Sequence, residues 1–500
     1  MNILVYSHTP LWEVHHAESI EICLREIEKG NKVLLLSCDG ALKSCPANVF
    51  KSDELCKKCV KQTNYSVSNI LRGKVIDIRL KLSESNKLKL NDFETLNDVE
   101  NFSYLGIPYG ELVVSQITDT FQDVFIPLSE LHDEGFPAID SLITNSIALY
   151  DETKKIIDNF EVDEVYVWNG RRFCDGPVLY AAKNSCISYH SYISGRKNSY
   201  ITLPTLKVHD LSYAKNIIED TYQKILAKYG LEYVENIADE FFYKSRYGGF
   251  NYQGAANFAD KHRIEPDSLV DIVIFPGSYW EYFGMSDYTH KIYPNPYEGL
   301  RRILTDESLP ADKKIAIRWH PNLTGAGIYE RSLIDAIILE TNNENIIHYP
   351  PSSLVNTYSL MANAKIVVTF GSTLGVQANY YGKPSVLLGR MSYEDLGITY
   401  NPSSHEQTME FLRSNLKAHP KLGSLKYAVF QMASEQIEFE FLSQCKSGRF
   451  YLNKKRLAIV SISNLLKGFI IKYIPIGIIC FLRKFYNIRR IQARSARNID

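Results

Sequence analysis

Five hundred residues exceed what one hydrophobic core ordinarily supports, and 45% hydrophobic with 23% charged residues excludes a disordered chain. The net charge of -1 hides an asymmetry, because residues 446–500 carry thirteen Lys or Arg against a single acid. A tail both basic and greasy points to an anionic membrane surface and away from nucleic acid.

The chain opens on "MNILVYS", which predicts a strand over Ile3–Ser7 where an exported protein would carry a charged leader, so a cytoplasmic location is expected. The loop "HTPLWEVHH" follows, then a helix with Ile20, Leu24 and Ile27 on one face and Gly30 as its stop. With a second strand over Val33–Ser37 this is a βαβ start to a doubly wound sheet, lacking the glycine fingerprint of a dinucleotide site. Four of the nine cysteines, Cys38, Cys45, Cys56 and Cys59, then fall within "CDGALKSCPANVFKSDELCKKC". The closing C-x-x-C is a half-site for tetrahedral thiolate ligation, so a structural zinc on these four is expected, against unligated thiols or a redox pair. "EVDEVYVWNGRR" predicts a strand over Val162–Trp168 that delivers Asn169, Arg171 and Arg172 to a polar turn, and a shorter strand follows around Cys186–His190.

Residues 211–265 are rich in helix formers and charges and read as a helical connection. Beyond them strands and helices alternate: "DIVIFPGS", "YEGLRRIL", "KKIAIRWHPN", "IYERSLIDAIILE", "NIIHYP", "SLVNTYSLMANA", "KIVVTFGS", "TLGVQANYYG", "PSVLLG". Such alternation requires a parallel sheet covered on both faces. The fold class expected is therefore α/β, with two Rossmann-like doubly wound domains facing a cleft and a basic amphipathic tail. The boundaries read as 1–210, a connection 211–265, a second domain 266–445 and a tail 446–500. In that tail Lys467 and Lys472 leave uncharged runs of only ten residues, short of the roughly 18 a spanning helix needs. An interfacial helix is expected, the alternative being a helix packed on the protein body.

Polar residues gather at the predicted strand ends of the second domain. In "VVTFGSTLGVQANYYGKPSVLLG" Gly371 permits a tight turn, Ser372 and Thr373 open a helix, and Gln377 lies one turn on. That is a ready anion site, although Ser and Thr also cap helices with no ligand. "IRWHPN" brings Arg318, His320 and Asn322, and "FPGSYWEY" brings Ser278 and Glu281. Phosphate-loop, EF-hand, H-E-x-x-H and G-x-S-x-G patterns are absent from the sequence.

The order "FPGS…RWHPN…SSLVNTYSLM…VVTFGSTLGVQA…YGKPSVLLG" over residues 265–400 resembles the donor-side domain of GT-B-fold bacterial surface-polysaccharide glycosyltransferases. It is similar to capsule and lipopolysaccharide biosynthesis proteins, including the capsular Kdo-transferase type, and "VWNGRRFCDGPVLYAA" resembles a segment of their first half. The resemblance implies a nucleotide-sugar donor and a glycan or lipid-linked acceptor at the inner face of the cell membrane, with no metal required for the chemistry. Ser372 and Thr373 would hold the donor phosphate, and Arg318 and His320 would neutralise the leaving nucleotide. Gln377 stands where many relatives carry Glu on the ribose hydroxyls. The first domain would be the acceptor side, with Glu13, His15 or His16 as base and Asn169, Arg171 and Arg172 on an acidic acceptor. Same-fold sugar-nucleotide epimerases and a non-catalytic component of a polysaccharide export complex are the competing readings.

Overall fold

The computed structural model describes residues 1–83, 93–133, 135–195, 198–247, 264–266, 269–341, 344–433, 436–445 and 447–459. Residues 460–500, which carry most of the expected membrane-surface helix, lie outside the described residues. The chain divides into two compact units, Met1–Ser191 with the chain from Phe439 onward, and Tyr192–Glu438.

The first unit is built on β1 (Asn2–Ser7), β2 (Lys32–Ser37), β3 (Val75–Arg79), β4 (Glu164–Trp168) and β5 (Ser188–Ser194), ordered β3-β2-β1-β4-β5. β1 pairs in parallel with β2 and β4, placing Val5 beside Leu35 on one side and Tyr166 on the other. A strand flanked in this way and covered on both faces has no solvent side, and Ile3 to Tyr6 are fully buried. The helix Glu13–Glu28 stops at Gly30, whose φ of +82° is the left-handed turn that sends the chain into β2. Two long helices, Tyr109–Phe121 and Ile139–Phe160, occupy the stretch between β3 and β4, where the sequence pattern predicts no element.

The second unit holds β6 (Ser199–Leu203), β7 (Val270–Phe275), β8 (Ile315–Arg318), β9 (Ile346–Tyr349), β10 (Ala364–Thr369), β11 (Ser385–Leu387) and β12 (Ile437–Glu438). Five of these form a parallel sheet ordered β11-β10-β7-β8-β9, and β12 pairs antiparallel with β6. The expected connection is different in kind. Helices Leu211–Tyr229 and Leu231–Tyr247 pack with helix Leu422–Ala433, burying Phe241, Phe242, Tyr427 and Ala428 in one core with Val376 and Tyr380. They are therefore part of the second unit. The helix predicted over 353–364 begins only at Thr357, because Leu354 and Asn356 exchange backbone hydrogen bonds with Ile264 and hold that stretch extended.

The chain from Phe439 is strapped back onto the first unit, where β13 (Ser443–Gln444), β14 (Phe450–Leu452) and β15 (Lys455–Arg456) form a small antiparallel sheet. Buried side chains hold its backbone. Glu21, fully buried, accepts the N–H groups of Glu440, Phe441 and Leu442 at 2.6, 3.2 and 3.0 Å. Gln62 donates to the Leu457 carbonyl and accepts the Ile459 N–H, both at 2.9 Å. The first unit thus reaches at least Ile459, and the tail boundary expected at 446 moves beyond it. Glu21→Ala would leave three amides without an acceptor and should lower unfolding free energy by roughly 3 kcal/mol in urea titration of the full chain. Proteolysis near residues 436–445 should rise with it, while Glu21→Gln, which keeps one acceptor oxygen, should lose less.

Candidate functional site

In both sheets the first strand sits centrally with the second on one side and the fourth on the other. Connections leave such a pair in opposite directions, so a crevice opens at the carboxyl ends of β1 and β4, and another at those of β7 and β10.

At the second of these, β7 runs into Pro276, Gly277 and Ser278, and β10 into Phe370, Gly371 and Ser372. Gly277 and Gly371 have φ of +83° and +122°, and a Cβ on Gly277 would lie 3.6 Å from the Gly371 carbonyl oxygen. The two turns are therefore in near contact, in backbone conformations that glycine adopts without strain. A cavity of about 220 Å³ opens beside them, lined by Gly277, Arg318, His320, Ser372, Thr373 and Gln377 among others.

The roles of these side chains differ from one to the next. Arg318 is 2% exposed and its guanidinium is committed to backbone: Nη1 donates to the carbonyls of Trp319 and Pro350 at 2.7 and 2.8 Å, and Nη2 to Ser353 at 3.2 Å. It ties the end of β8 to the loop after β9 while keeping its charge at the cavity wall. The His320 Nδ1 accepts the Asn322 N–H at 3.2 Å and lies 2.9 Å from Ser278 Oγ. That assigns the ring proton to Nε2. Burial, with the nearby Arg318 charge, lowers the His320 pKa to about 4, so the ring is a neutral N–H donor near pH 7. Asn322 donates to Glu281 at 2.6 Å, a pair that latches the loop after β7 to the loop after β8. Ser372 Oγ accepts the Leu374 N–H at 3.2 Å, a local turn ahead of the two-turn helix Leu374–Tyr380, whose N-cap Thr373 makes no side-chain cap bond. Gln377 is 4% exposed and its Oε1 has no hydrogen-bond partner.

Sequence pattern alone misses Ser245, Thr357 and Tyr358, which complete the wall; the Tyr358 hydroxyl donates to the Ser245 carbonyl at 2.6 Å. Their only trace is the "NTYSLM" motif, since Ser245 arrives on a helix over a hundred residues earlier.

At the crevice of the first unit the three candidate bases part company. Glu13 accepts the Phe450 N–H at 3.0 Å, and His16 is buried against Ser66 at 2.7 Å, with burial lowering its pKa to about 4. His15 stacks on Trp168 with ring centroids 4.1 Å apart, and its Nδ1 lies 3.1 Å from the buried Glu18 carboxylate. Arg171 and Arg172 both grip Asp119; burial opposes its ionisation, yet the two guanidiniums hold it below the usual carboxylate range. Neither arginine is an uncommitted cation. Asn169 sits beside them in a left-handed turn with φ +68°. Cys38, Cys45, Cys56 and Cys59 are all free thiols of the first unit. Among the described residues the one group of three or more potential ligands with atoms within 4.8 Å of each other is His8, Cys174 and Asp175. Cys56 and Cys59 ride the helix Asp53–Tyr65, Cys56 Sγ accepts from Asn48, and burial pushes Cys45 up to about 12.

The family model described as capsule polysaccharide biosynthesis protein matches residues 187–441, just over half the chain and the whole of the second unit. The chain belongs to that family. Solved structures overlap with this capsule biosynthesis protein at low similarity. The Thermosulfurimonas dismutans KpsC β-Kdo 2,4-transferase is 13% identical at a TM-score of 0.34, covering 53% of this chain and 79% of its own. The β-Kdo 2,7-transferase of the same KpsC is 14% identical at 0.34, covering 62% and 86%. UDP-GlcNAc 2-epimerase from Neisseria meningitidis, bound to UDP-GlcNAc, is 11% identical at 0.21, covering 87% and 100%. No curated protein matches the chain.

Two consequences of this geometry are measurable. Arg318→Ala should strand three carbonyls and lower the thermal midpoint by several degrees, a stability loss and not a pure binding defect. His290, His320 and His348 of the second unit all have pKa values lowered to about 4 by burial. The unfolded chain binds protons at these rings from about pH 6.5 downward and the folded chain only near pH 4, so they subtract stability as pH falls through that window. A midpoint falling between pH 6.5 and 4.5, less steeply in His348→Gln, is the expected titration.

Proposed function

We propose that this capsule biosynthesis protein is a GT-B-type glycosyltransferase that takes a sugar from a nucleotide-sugar donor, held by the second unit, to a growing surface glycan or lipid-linked acceptor. The observation that carries the reading is the buried, unpartnered Oε1 of Gln377 in a cavity that also presents the neutral His320 ring and the Ser372–Thr373 turn. A buried acceptor without a donor costs about 1–3 kcal/mol, and a ligand hydroxyl would supply the missing partner. Donor groups beside it suit a phosphate, so the cavity asks for a phosphate and a hydroxyl on one ligand. Its volume, below the roughly 300 Å³ of a full small-molecule site, suits the phosphate–ribose end of a nucleotide sugar. Arg318 and the His320 N–H would stabilise the charge on the leaving nucleotide, chemistry that requires no metal.

For the base, His15 has the fitting geometry. With Nδ1–H donating to Glu18, its Nε2 is left as the acceptor nitrogen for an acceptor-sugar hydroxyl, the arrangement of a carboxylate-oriented general base. Titrating nucleotide sugars calorimetrically should give about tenfold weaker binding for Gln377→Leu and His320→Ala, with His15→Asn unchanged. Turnover with a lipid-linked acceptor should fall 10²-fold or more in His15→Asn. Epimerised donor without acceptor, or no nucleotide binding at all, would overturn the reading.

We also place the protein at an anionic membrane surface, on the strength of the basic, apolar composition of residues 460–500. No helix among the described residues is long and apolar enough to cross a membrane. Deleting residues 460–500, and not 446–500, should release the protein from vesicles containing anionic lipid while leaving its thermal midpoint in place; vesicle binding by the truncated chain would refute the assignment.

A further inference from the structure

The crevice of the first unit contains a second chemically loaded group that the transfer reading does not use. His8, directly after β1, and Cys174 and Asp175, in the turn after β4, each offer one ligand atom, and these atoms lie within 4.8 Å of one another. All three residues are at most 1% exposed. Neither nitrogen of His8 has a hydrogen-bond partner, and neither does Asp175 Oδ2. A buried imidazole and carboxylate oxygen without hydrogen bonds, converging on a buried thiol, are an expensive arrangement for an apolar interior unless something occupies them.

Arg172 is the nearest positive group; Asp119, which it shares with Arg171, takes its Nε and Nη2 at 3.0 and 2.7 Å. Its Nη1 stands 3.7 Å from Asp175 Oδ2, outside hydrogen-bond range. The other Asp175 oxygen accepts the Arg172 backbone N–H at 2.7 Å, which aims Oδ2 at His8. Stacking of His8 on Tyr6, centroids 5.0 Å apart, fixes the imidazole plane. The oxygen and His8 Nε2 are 4.0 Å apart. Tetrahedral ligation at about 2.0–2.3 Å requires ligand atoms roughly 3.3–3.8 Å from each other, so this pair closes with a shift of a few tenths of an ångström, and Cys174 Sγ lies within 4.8 Å of both.

We infer that His8, Cys174 and Asp175 form a metal site for a borderline-soft divalent ion of the zinc type, distinct from the four-cysteine cluster. Imidazole, thiolate and carboxylate together select such an ion over magnesium or calcium, which take oxygen donors. Binding expels the Cys174 thiol proton to solvent as Sγ becomes a thiolate ligand, so uptake is tighter at higher pH. Three protein ligands leave the fourth position of a tetrahedral ion to water or a ligand oxygen.

The test uses the full chain, stripped with chelator and titrated with Zn²⁺ and Co²⁺ alone. About one equivalent of Zn²⁺ should bind, and the Co²⁺ form should show thiolate-to-metal charge-transfer absorption. Both should weaken at least tenfold in Cys174→Ser and in His8→Asn, and persist in Cys56→Ser/Cys59→Ser. The wild-type spectrum is decisive even where a buried variant fails to fold, because no stoichiometric binding or no sulfur-to-cobalt band overturns the site. Loss of metal in the Cys56/Cys59 double variant, with retention in Cys174→Ser, overturns it equally.

Discussion

Two parallel sheets, each wound outward in both directions from a central strand, set the terms for everything else in this protein. A strand whose neighbours on either side lead to connections running opposite ways has carboxyl-terminal groups that no crossover covers. β1 with β4, and β7 with β10, are the two places where this happens. The carboxyl-terminal halves of both pairs are largely buried, so polar chemistry at the crevices is confined to the few residues beyond their ends. Gly277 and Gly371 make those ends approachable in the second unit, where positive φ angles bring two turns close beside a small cavity.

Residues at these ends separate by what they are bonded to. Arg318 spends its guanidinium on three carbonyls, Asn322 holds Glu281, and Arg171 and Arg172 hold Asp119. These bonds shape the crevices. Gln377 in one crevice, and His8 with Asp175 in the other, instead carry buried atoms with no hydrogen-bond partner. Unsatisfied polar atoms in a dry interior oppose folding, and the ligand sites proposed for the two crevices rest on these atoms.

The order of the chain and the order of the domains do not coincide. Phe439 onward returns to the first unit and is captured by carboxylate and carboxamide groups of helices formed some four hundred residues earlier. Glu21, a charged residue in a helix of the first unit, is buried because it is the acceptor for three consecutive amides of the returning strap. Read along the sequence, its carboxylate looks like an ordinary solvent-facing helix charge.

The alternation of strand and helix from Val270 to Leu387 was legible because a parallel sheet imposes local hydrophobic runs and short turns on every repeat, and the strand-end motifs "FPGS", "RWHPN" and "FGST" stand in register with it. Strand order, and with it the pairing of β7 with β10, was not legible, since no local pattern records which strand lies beside which. Nor were Ser245 and Asp119, whose positions depend on helices that reach the crevices from far away in sequence. Nor was the approach of His8 to Cys174 and Asp175, more than 160 residues further on, which converge because β1 and β4 are hydrogen-bonded neighbours. The sequence by itself determined the alternating strands and helices of the second unit and the family; only the tertiary structure decided which side chains are consumed in holding loops and which lack hydrogen bonds, because burial and partnership are properties of neighbours in space.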